Sequence, residues 1–357
     1  MRILMFGMSS YPGGIENYIA NYFLCEELLE DIVIDFVTYE DKLAYQEEIK
    51  KYGHNVIRVP HLKKNPLGYA RTVRKILKED NYDCVYVNML SAANILPIMY
   101  ASNFHIPKIV AHAHANSTVK GMARSFLHGI NKRYCQKKVT MRFACSQEAG
   151  KWLFDNQAYD IIPNAIDPIR FAFSENNREE IRRRYNICSE ECVLGHVGRF
   201  GREKNHVFLI DVFALYQKNI GNARLMLVGD GACYGEIREK VKSLGIENKV
   251  IFVGTTNETE KYYSAFDYFV FPSIFEGFGM AALEAQANGL RCFCSKTLSP
   301  ELNVTGNVDF LDLSDGVEAW ADYIAMKRLE NVNRTEKVEL GDFDIKKQRK
   351  NMVEILK

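Results

Sequence analysis

The sequence predicts an α/β fold with two doubly wound, Rossmann-like domains, on the basis of its length and the order of its apolar segments. The chain has 357 residues, more than a single hydrophobic core usually supports, so two domains are expected. Short apolar runs of strand length alternate with longer segments of helical period. Such alternation predicts parallel sheets that are covered by helices on both faces.

The first alternating set predicts a domain over residues 1–170. One of its helices has clear start signals, with Asn65 as the N-cap and Pro66 in the first turn, and it is expected to end near Lys78. The predicted strands are residues 3–6, 32–37, 56–59, 85–87, 109–111 and 143–144.

The alternation pauses over residues 163–184, and we expect the linker between the domains there. A second set of strands is predicted at residues 193–197, 224–228, 249–253, 268–271 and 291–294. These strands indicate a second domain over residues 171–342. Because ligands of open α/β sheets bind at the carboxyl ends of the strands, two such domains are expected to face a central cleft.

Composition and charge exclude several classes of protein. The hydrophobic fraction of 47% and the charged fraction of 25% are typical of a globular chain, and a net charge of +1 indicates no nucleic-acid partner. The nine cysteines lack metal-ligand spacing and are expected to be reduced thiols. The first apolar run is too short for a signal peptide, and no apolar run is long enough to span a membrane. A cytoplasmic location is therefore expected.

The strongest local signal is the segment of residues 276–284, which follows a predicted strand. Gly277 and Gly279 would let the backbone approach a ligand, and a helix that begins near Gly279 would direct its free N–H groups at a diphosphate. Glu284 could accept hydrogen bonds from the vicinal hydroxyls of a ribose. The alternative is a capping role for Glu276 and a solvated Glu284. The predicted donor-binding residues of this segment are Glu276, Gly277, Phe278, Gly279, Met280 and Glu284.

Two cations are predicted in the loop after the strand at residues 193–197. Arg199, through its fork geometry, and Lys204, as a point charge, could stabilise the negative charge on a departing nucleoside diphosphate without a metal. The alternative is a solvated basic loop. Gly229 and Asp230 follow the next predicted strand, where they could cradle a nucleotide or form a plain turn.

Two weaker signals follow strands of the first domain. Gly13 and Gly14 open a helix after the first strand, which would make a backbone nest for an anion or a sugar hydroxyl, although such turns also open many helices without a ligand. His112 and His114 share one face at the end of the fifth strand, followed by Asn116. Either imidazole could bond a sugar hydroxyl or transfer a proton, or both could be structural. His114 is favoured because it lies nearer the loop.

No metal site is predicted. The triplet Asp342-Phe-Asp344 lies past both alternating sets, so a metal–diphosphate site is not expected there. The predicted catalytic residues are Glu276, His114, Arg199 and Lys204.

Taken together, these residues resemble the retaining glycosyltransferase family 4, which has the GT-B fold, and in particular bacterial capsular and exopolysaccharide glycosyltransferases. The resemblance covers nearly the whole chain. The family's glutamate pair, its Gly-Arg and Lys pair, and its N-terminal double glycine are matched by Glu276 and Glu284, Arg199 and Lys204, and Gly13 and Gly14. One departure is Ala165, in Pro163-Asn-Ala-Ile-Asp167, where the family has glycine.

The resemblance implies that the first domain binds the acceptor and the second the nucleotide sugar, most often UDP-linked. Glu276 would contact the transferred sugar, Glu284 the ribose, and Arg199 with Lys204 the diphosphate. His114 would match the family's site histidine. The sugar would be transferred by front-face attack with retention of configuration, without a cofactor, and the C-terminal helix, residues 343–357, would return to the first domain.

The basic first half suits an acceptor that is carried on a polyprenyl diphosphate at the inner face of a membrane, as in surface polysaccharide biosynthesis. No carboxylate lies between Asp83 and Glu148. The segment of residues 116–138 mixes cations with Met122, Phe126 and other apolar residues, so it would form a peripheral, interfacial helix. The alternative is a solvated basic face.

Two other functions remain open from the sequence alone. A nucleotide-sugar epimerase of the same fold would also bind a sugar nucleotide. A non-catalytic partner subunit of a glycosyltransferase would keep the fold, but the presence of Glu276, Arg199 and Lys204 argues against it.

Overall fold

The structure is a computed structural model that describes residues 1–11, 13–26, 32–115, 122–328, 334 and 337–357. The chain divides into two compact units. The first unit consists of Met1–Ala165 together with Ile345–Lys357, and the second unit consists of Ile166–Asp344.

The first unit contains a parallel seven-stranded sheet in the order β3-β2-β1-β4-β5-β6-β7. Its strands are β1 Arg2–Phe6, β2 Val33–Thr38, β3 Asn55–Arg58, β4 Cys84–Met89, β5 Lys108–Ala113, β6 Met141–Ala144 and β7 Asp160–Ile161. Its helices are α1 Gly14–Phe23, α2 Gln46–Lys51, α3 Pro66–Glu79, α4 Leu96–Asn103, α5 Met122–Lys138, α6 Gln147–Phe154 and, at the end of the chain, α13 Ile345–Leu356.

The second unit contains a parallel six-stranded sheet in the order β10-β9-β8-β11-β12-β13. Its strands are β8 Cys192–Val197, β9 Ala223–Val228, β10 Val250–Gly254, β11 Tyr268–Phe271, β12 Arg291–Ser295 and β13 Val308–Leu311. Its helices are α7 Glu175–Arg184, α8 His206–Ile220, α9 Tyr234–Ser243, α10 Thr259–Ala265, α11 Met280–Ala287 and α12 Gly316–Lys327.

Each sheet is buried on both faces. In β1, Ile3 and Met5 belong to one apolar cluster while Leu4 and Phe6 belong to another, because successive side chains of a strand point to opposite faces. Strand β8 divides in the same way, with Val193 in one cluster of the second unit and Leu194 in the other. The prediction of two doubly wound, Rossmann-like sheets is confirmed.

The structure corrects the sequence prediction in two places. The short β7 and the charged β13 were not predicted: β7 has only two residues, both exposed, and β13 interrupts its apolar residues with Asp309. The charged half of the predicted linker is helix α7 of the second unit. Arg178 of that helix bonds the Asp267 carboxylate at 2.6 Å, and Arg182 bonds the same carboxylate at 3.3 Å.

Helix α13 belongs to the first unit although it follows the whole of the second unit in sequence. Ile345, Met352 and Leu356 lie in the apolar cluster that covers one face of the first sheet. At its end, the Lys108 ammonium donates to the Lys357 carbonyl at 2.7 Å.

In each unit the order of the strands reverses at one point, between β1 and β4 in the first sheet and between β8 and β11 in the second. Ligands of such sheets bind outside the carboxyl ends of the strands at this switch point. No helix in the described part of the chain is both long enough and apolar enough to cross a bilayer.

Candidate active site

The switch point of the second unit brings together two loops that the sequence places far apart. The loop after β8 carries Lys204 in a short 3-10 turn, and the loop after β11 carries Glu276. The Ile274 N–H donates to the Glu203 carbonyl at 2.8 Å, which ties the two loops together.

Lys204 and Glu276 form an ion pair across this switch point. The Lys204 ammonium lies 2.5 Å from a Glu276 carboxylate oxygen, and each side chain is only 14% exposed. The same ammonium lies 4.7 Å from the centre of the Phe271 ring, at the end of β11. Because a partly buried charge is costly without a partner, each of the two charges stabilises the other in this state.

Helix α11 starts just beyond Glu276. Its N-cap, Gly279, has a φ of +98° and supplies no side-chain cap. A side chain is strained in this left-handed conformation, so glycine is the residue that lets the chain turn here. The first N–H groups of a helix lack partners within the helix, so the start of α11 carries a partial positive charge.

Glu284 lies on α11 and is half-buried. The Tyr263 hydroxyl donates to its carboxylate at 2.7 Å. Burial raises the pKa of Glu284 to about 7, and the hydrogen bond from Tyr263 opposes that shift only in part. A carboxylate with one bound donor has further lone pairs, so Glu284 can accept hydrogen bonds from ligand hydroxyls when it is ionised.

Arg199 is placed differently from Lys204. Its side chain is 78% exposed, and its guanidinium lies 2.9 Å from the Glu203 carboxylate. The structure therefore brings Lys204 to Glu276 but leaves Arg199 at the surface of the same loop.

Three other residues predicted to bind the donor, Gly229, Asp230 and Phe278, make contacts within the protein itself. Gly229 has a φ of +134°, and a Cβ there would lie 2.0 Å from the Gly198 carbonyl oxygen, so glycine is required for the ends of β8 and β9 to approach. The exposed Asp230 accepts a hydrogen bond from the Gly231 N–H at 2.7 Å.

Around Glu276, the Phe278 side chain is buried against the ring of Phe343, with 4.9 Å between ring centres. Gly277 is exposed and Met280 half-buried, next to the Glu276 loop.

In the first unit, a carboxylate of the chain lies beside Gly13 of the predicted anion nest. Glu16, in the first turn of α1, accepts a hydrogen bond from the Ser9 N–H at 2.9 Å. A Cβ at Gly13 would lie 2.8 Å from the other Glu16 oxygen. A bound phosphate would be repelled by this carboxylate, so the loop suits a hydroxyl better than an anion.

His112 and His114 lie side by side at the end of β5, with 4.0 Å between ring centres. His112 is fully buried, and its Nδ1 lies 2.8 Å from the Tyr86 hydroxyl. His114 is half-buried, and its Nε2 lies 2.9 Å from the Asn88 side-chain oxygen. Burial lowers the pKa of His114 to about 3, so the ring is neutral at physiological pH. Of the two, His114 is the more accessible. Asn116 lies outside the described residues.

Comparisons with known proteins find matches along most of the chain. A family model described as Glycosyltransferase Family 4 matches residues 12–170, and one described as Glycosyl transferases group 1 matches residues 177–326. The putative glycosyltransferase EpsF of Bacillus subtilis is 30% identical over 324 residues, which cover 88% of this chain and 84% of that protein. The chain belongs to glycosyltransferase family 4.

Other relatives of this glycosyltransferase extend the comparison. An N-acetylgalactosamine-N,N'-diacetylbacillosaminyl-diphospho-undecaprenol 4-alpha-N-acetylgalactosaminyltransferase of Campylobacter jejuni is 31% identical over 325 residues, covering 87% of this chain and 84% of that one. The crystal structure of Anabaena HepE in complex with UDP and glucose matches with a TM-score of 0.79 at 18% identity, over 100% of this chain and 99% of that chain. This likeness shows that the glycosyltransferase has the GT-B fold.

Two buried histidines of the glycosyltransferase were missed by sequence reasoning. His196, in β8, donates from Nδ1 to the Val270 carbonyl at 2.8 Å, and its ring centre lies 4.6 Å from that of His206, at the start of α8. Burial lowers the pKa of both rings, to about 4 for His206. Two neutral rings therefore lie in the same loop region as Lys204. The sequence could have indicated them, because His196 lies near the end of a predicted strand and His206 follows the Lys204 loop.

Asn88 and Tyr263 were also missed, although each is the direct partner of a predicted site residue. Asn88 bonds His114 from the end of β4, and Tyr263 bonds Glu284 from α10. Asn88 follows a predicted strand directly, which was a usable signal, whereas nothing in the sequence connects Tyr263 with Glu284. Within the described ranges, no group of three histidine, cysteine or acidic side chains is arranged to hold a metal.

Proposed function

We propose that this glycosyltransferase moves a hexosyl or N-acetylhexosaminyl residue from a UDP-sugar to a glycan carried on a polyprenyl diphosphate, with retention of configuration and without a metal. Such a reaction would belong to surface polysaccharide synthesis at the inner face of the cell membrane. The observation that carries this proposal is the Lys204–Glu276 ion pair at the switch point of the second unit.

The ion pair supplies a cation and a carboxylate that a nucleotide sugar would separate. The diphosphate offers Lys204 a stronger charge partner than Glu276 does, and the start of α11 adds its partial positive charge. Once Lys204 turns to the diphosphate, Glu276 is free to accept hydrogen bonds from hydroxyls of the transferred sugar. The exposed Arg199 would leave the Glu203 carboxylate to join Lys204.

Glu284 would hold the ribose of the nucleotide. Its ionised carboxylate can accept from both vicinal hydroxyls while Tyr263 keeps it in place. The Anabaena protein of the same fold was crystallised with UDP and glucose, which supports a uridine nucleotide as the donor.

The proposed reaction breaks the bond between the anomeric carbon and the outer phosphate oxygen, and the bonding electrons go to that oxygen. Lys204 and Arg199 stabilise the negative charge that develops there. The acceptor hydroxyl oxygen attacks the anomeric carbon from the same face, and its proton passes to the departing phosphate. The products are the extended glycan and UDP, and retention at the anomeric carbon rests on membership of family 4.

A lipid-linked acceptor is supported by the Campylobacter relative, whose name contains a diphospho-undecaprenol, and by helix α5 of the first unit. Phe126 and Ile130 of α5 are 69% and 58% exposed. The last turn of the helix is basic, with Lys137 and Lys138. Exposed apolar side chains together with cations suit an anionic membrane surface. The first unit would thus bind the acceptor.

A donor panel tests the reaction. The protein is incubated with several UDP-sugars and a short polyprenyl-diphosphate glycan, and mass spectrometry follows the appearance of the extended glycan together with UDP. Release of UDP without an extended glycan, or formation of an epimerised nucleotide sugar, would overturn the proposal.

Sedimentation with vesicles tests the membrane contact. The double variant Phe126→Ser/Ile130→Ser should lose binding to vesicles that contain phosphatidylglycerol. Leu67→Ser is the matched control, because Leu67 is also 69% exposed but lies on α3. Equal binding by all three proteins, or binding unaffected by salt and anionic lipid, contradicts the membrane contact.

A further inference from the structure

The amide of Asn88 has a fixed orientation in the structure. Its nitrogen donates to the Phe6 carbonyl at the end of β1, at 3.0 Å, and its oxygen faces His114 Nε2 at 2.9 Å. If the amide were turned over, its oxygen would face the carbonyl oxygen of Phe6. Two buried acceptors would then lie against each other, so the observed orientation is strongly preferred.

Gly7 makes this arrangement possible. It has a φ of +107°, and a Cβ at this position would lie 2.6 Å from the Asn88 carbonyl oxygen and 2.8 Å from the Asn88 Cβ. The ends of β1 and β4 can therefore approach closely enough for the Asn88 amide to reach Phe6. Asn88 itself is only 6% exposed, so the protein and not the solvent sets its hydrogen bonds.

The orientation of the amide determines where the proton of His114 lies. A neutral imidazole carries one N–H, and only a nitrogen that bears the proton can donate to the Asn88 oxygen. His114 Nε2 must therefore carry the proton, and Nδ1 must carry a lone pair. His114 Nδ1 makes no hydrogen bond with any residue that the structure describes.

We propose that Asn88 is a positioning residue that holds His114 as the Nε2–H tautomer, so that Nδ1 presents a lone pair to a hydroxyl group of the bound sugar. The identity of the ligand rests on the proposed function, whereas the tautomer does not. Under this assignment His114 accepts a hydrogen bond from a hydroxyl and cannot donate one to a phosphate oxygen.

The neighbouring His112, by contrast, has no hydrogen-bond partner among the described residues that fixes its tautomer. His112 Nδ1 faces the hydroxyl of Tyr86, which in turn lies 2.8 Å from the hydroxyl of Tyr18. A hydroxyl can donate or accept, so this chain leaves both tautomers of His112 open. Of the two rings, only His114 faces a partner whose polarity is fixed.

Nuclear magnetic resonance of the full-length protein, labelled with ¹⁵N in its histidines, tests the tautomer without any substrate. The His114 signals are assigned by their loss in His114→Gln. We expect Nε2 of His114 to be protonated and Nδ1 to be unprotonated. A protonated Nδ1 in the wild-type protein overturns the proposal.

Substitutions of Asn88 test whether it is the cause. Asn88→Leu should allow a mixture of tautomers, with the two His114 nitrogen signals moved toward each other, and should lower kcat/KM about fivefold, the factor for one neutral hydrogen bond. Asn88→Asp loses the bond to the Phe6 carbonyl but keeps an acceptor that faces Nε2, so Nε2 of His114 should remain protonated. Tyr86→Phe is the control, because it removes a hydroxyl from the adjacent chain without touching Asn88, and the His114 signals should not change.

The outcomes separate this inference from the proposed function. An unchanged His114 spectrum in Asn88→Leu overturns the role of Asn88. If Asn88→Leu does not fold, the wild-type spectrum and Asn88→Asp still decide, since a mixed tautomer in either contradicts the proposal. The expected tautomer in a protein that transfers no sugar overturns the proposed function alone.

Discussion

The two switch points of this glycosyltransferase are built from the same strand order but carry opposite kinds of chemistry. In the second unit, a charged pair, Lys204 and Glu276, joins the loops after β8 and β11. In the first unit, the ends of β1, β4 and β5 meet in a neutral network of His112, His114 and Asn88 with buried tyrosines. The fold therefore positions loops, and the residues on the loops decide what can bind.

This difference matches what the two substrates of the proposed reaction require. A nucleoside diphosphate is an anion that needs cations and helix N–H groups, which the second unit supplies. An uncharged sugar presents hydroxyls, which neutral hydrogen-bond acceptors and donors can bind. The low pKa of His114, about 3, keeps its ring uncharged and so preserves the contrast.

Among substitutions at the charged switch point, loss of Glu276 should lower sugar transfer the most. We expect Glu276→Ala to lower transfer by about 10³-fold, the scale of a lost group that acts on the transition state, and to lower the melting temperature, because Lys204, only 14% exposed, loses its charge partner. Initial rates and thermal melts measure both. Asp211→Ala is the matched control, because Asp211 pairs with Lys240 at 2.6 Å elsewhere in the same unit. Turnover by Glu276→Ala at the wild-type rate would remove Glu276 from the site.

Loss of the cation should have the next largest effect. Lys204→Ala is expected to lower kcat by about 10²-fold and to weaken binding of UDP, which calorimetry measures. Lys240→Ala serves as the control, since it breaks the other ion pair of similar type in this unit. If UDP binds equally well to Lys204→Ala and the wild-type protein, Lys204 does not contact the diphosphate.

Glu284 should make donor binding depend on pH. Because its pKa is raised to about 7, the carboxyl group is partly protonated at neutral pH, and binding of the ribose should improve as the pH rises from 6 to 8. Glu284→Gln should raise the KM for the donor about tenfold, the factor for one hydrogen bond to a charged group, and should remove this pH dependence. A wild-type KM that is constant over this range contradicts the assignment.

The same substitution has a separate effect on stability. The folded state binds the Glu284 proton more tightly than the unfolded state between pH 4.5 and about 7, so the contribution of this group to stability declines as the pH rises through that range. Glu284→Gln should therefore melt no lower than the wild-type protein at pH 8. A clear loss of stability at pH 8 would show that the carboxylate has a structural role.

Arg199 should show the smallest effect, because it is exposed and already paired with Glu203. Arg199→Ala is expected to lower kcat/KM by about fivefold, as for the loss of one hydrogen bond of about 1 kcal/mol. Arg183→Ala is the control, since Arg183 is 81% exposed and pairs with a glutamate one turn away on α7. Equal rates for the two variants would place Arg199 outside the diphosphate site.

The fold and several site residues could be predicted from the sequence. The side-chain contacts within the loops could not, for physical reasons. The apolar runs predicted the two sheets, and the glutamate pair, the Arg-Lys pair and the double glycine together gave the resemblance to the family. The sequence did not reveal the Glu16 carboxylate in the Gly13 loop or the partner of Arg199, because both depend on side-chain directions within loops. The role of Asn88 depends on a carbonyl 82 positions away, at Phe6, and only the folded chain brings the two together.

Helix α13 has a consequence for how the chain is made. Residues 1–165 are synthesised before the second unit, but their apolar core also contains Ile345, Met352 and Leu356, which are synthesised after it. The second unit is complete in sequence before these residues emerge, so it can fold while the first unit still lacks part of its core. The first unit is therefore finished after the second, and a nascent chain that stalls before residue 345 would carry one complete unit and one incomplete unit.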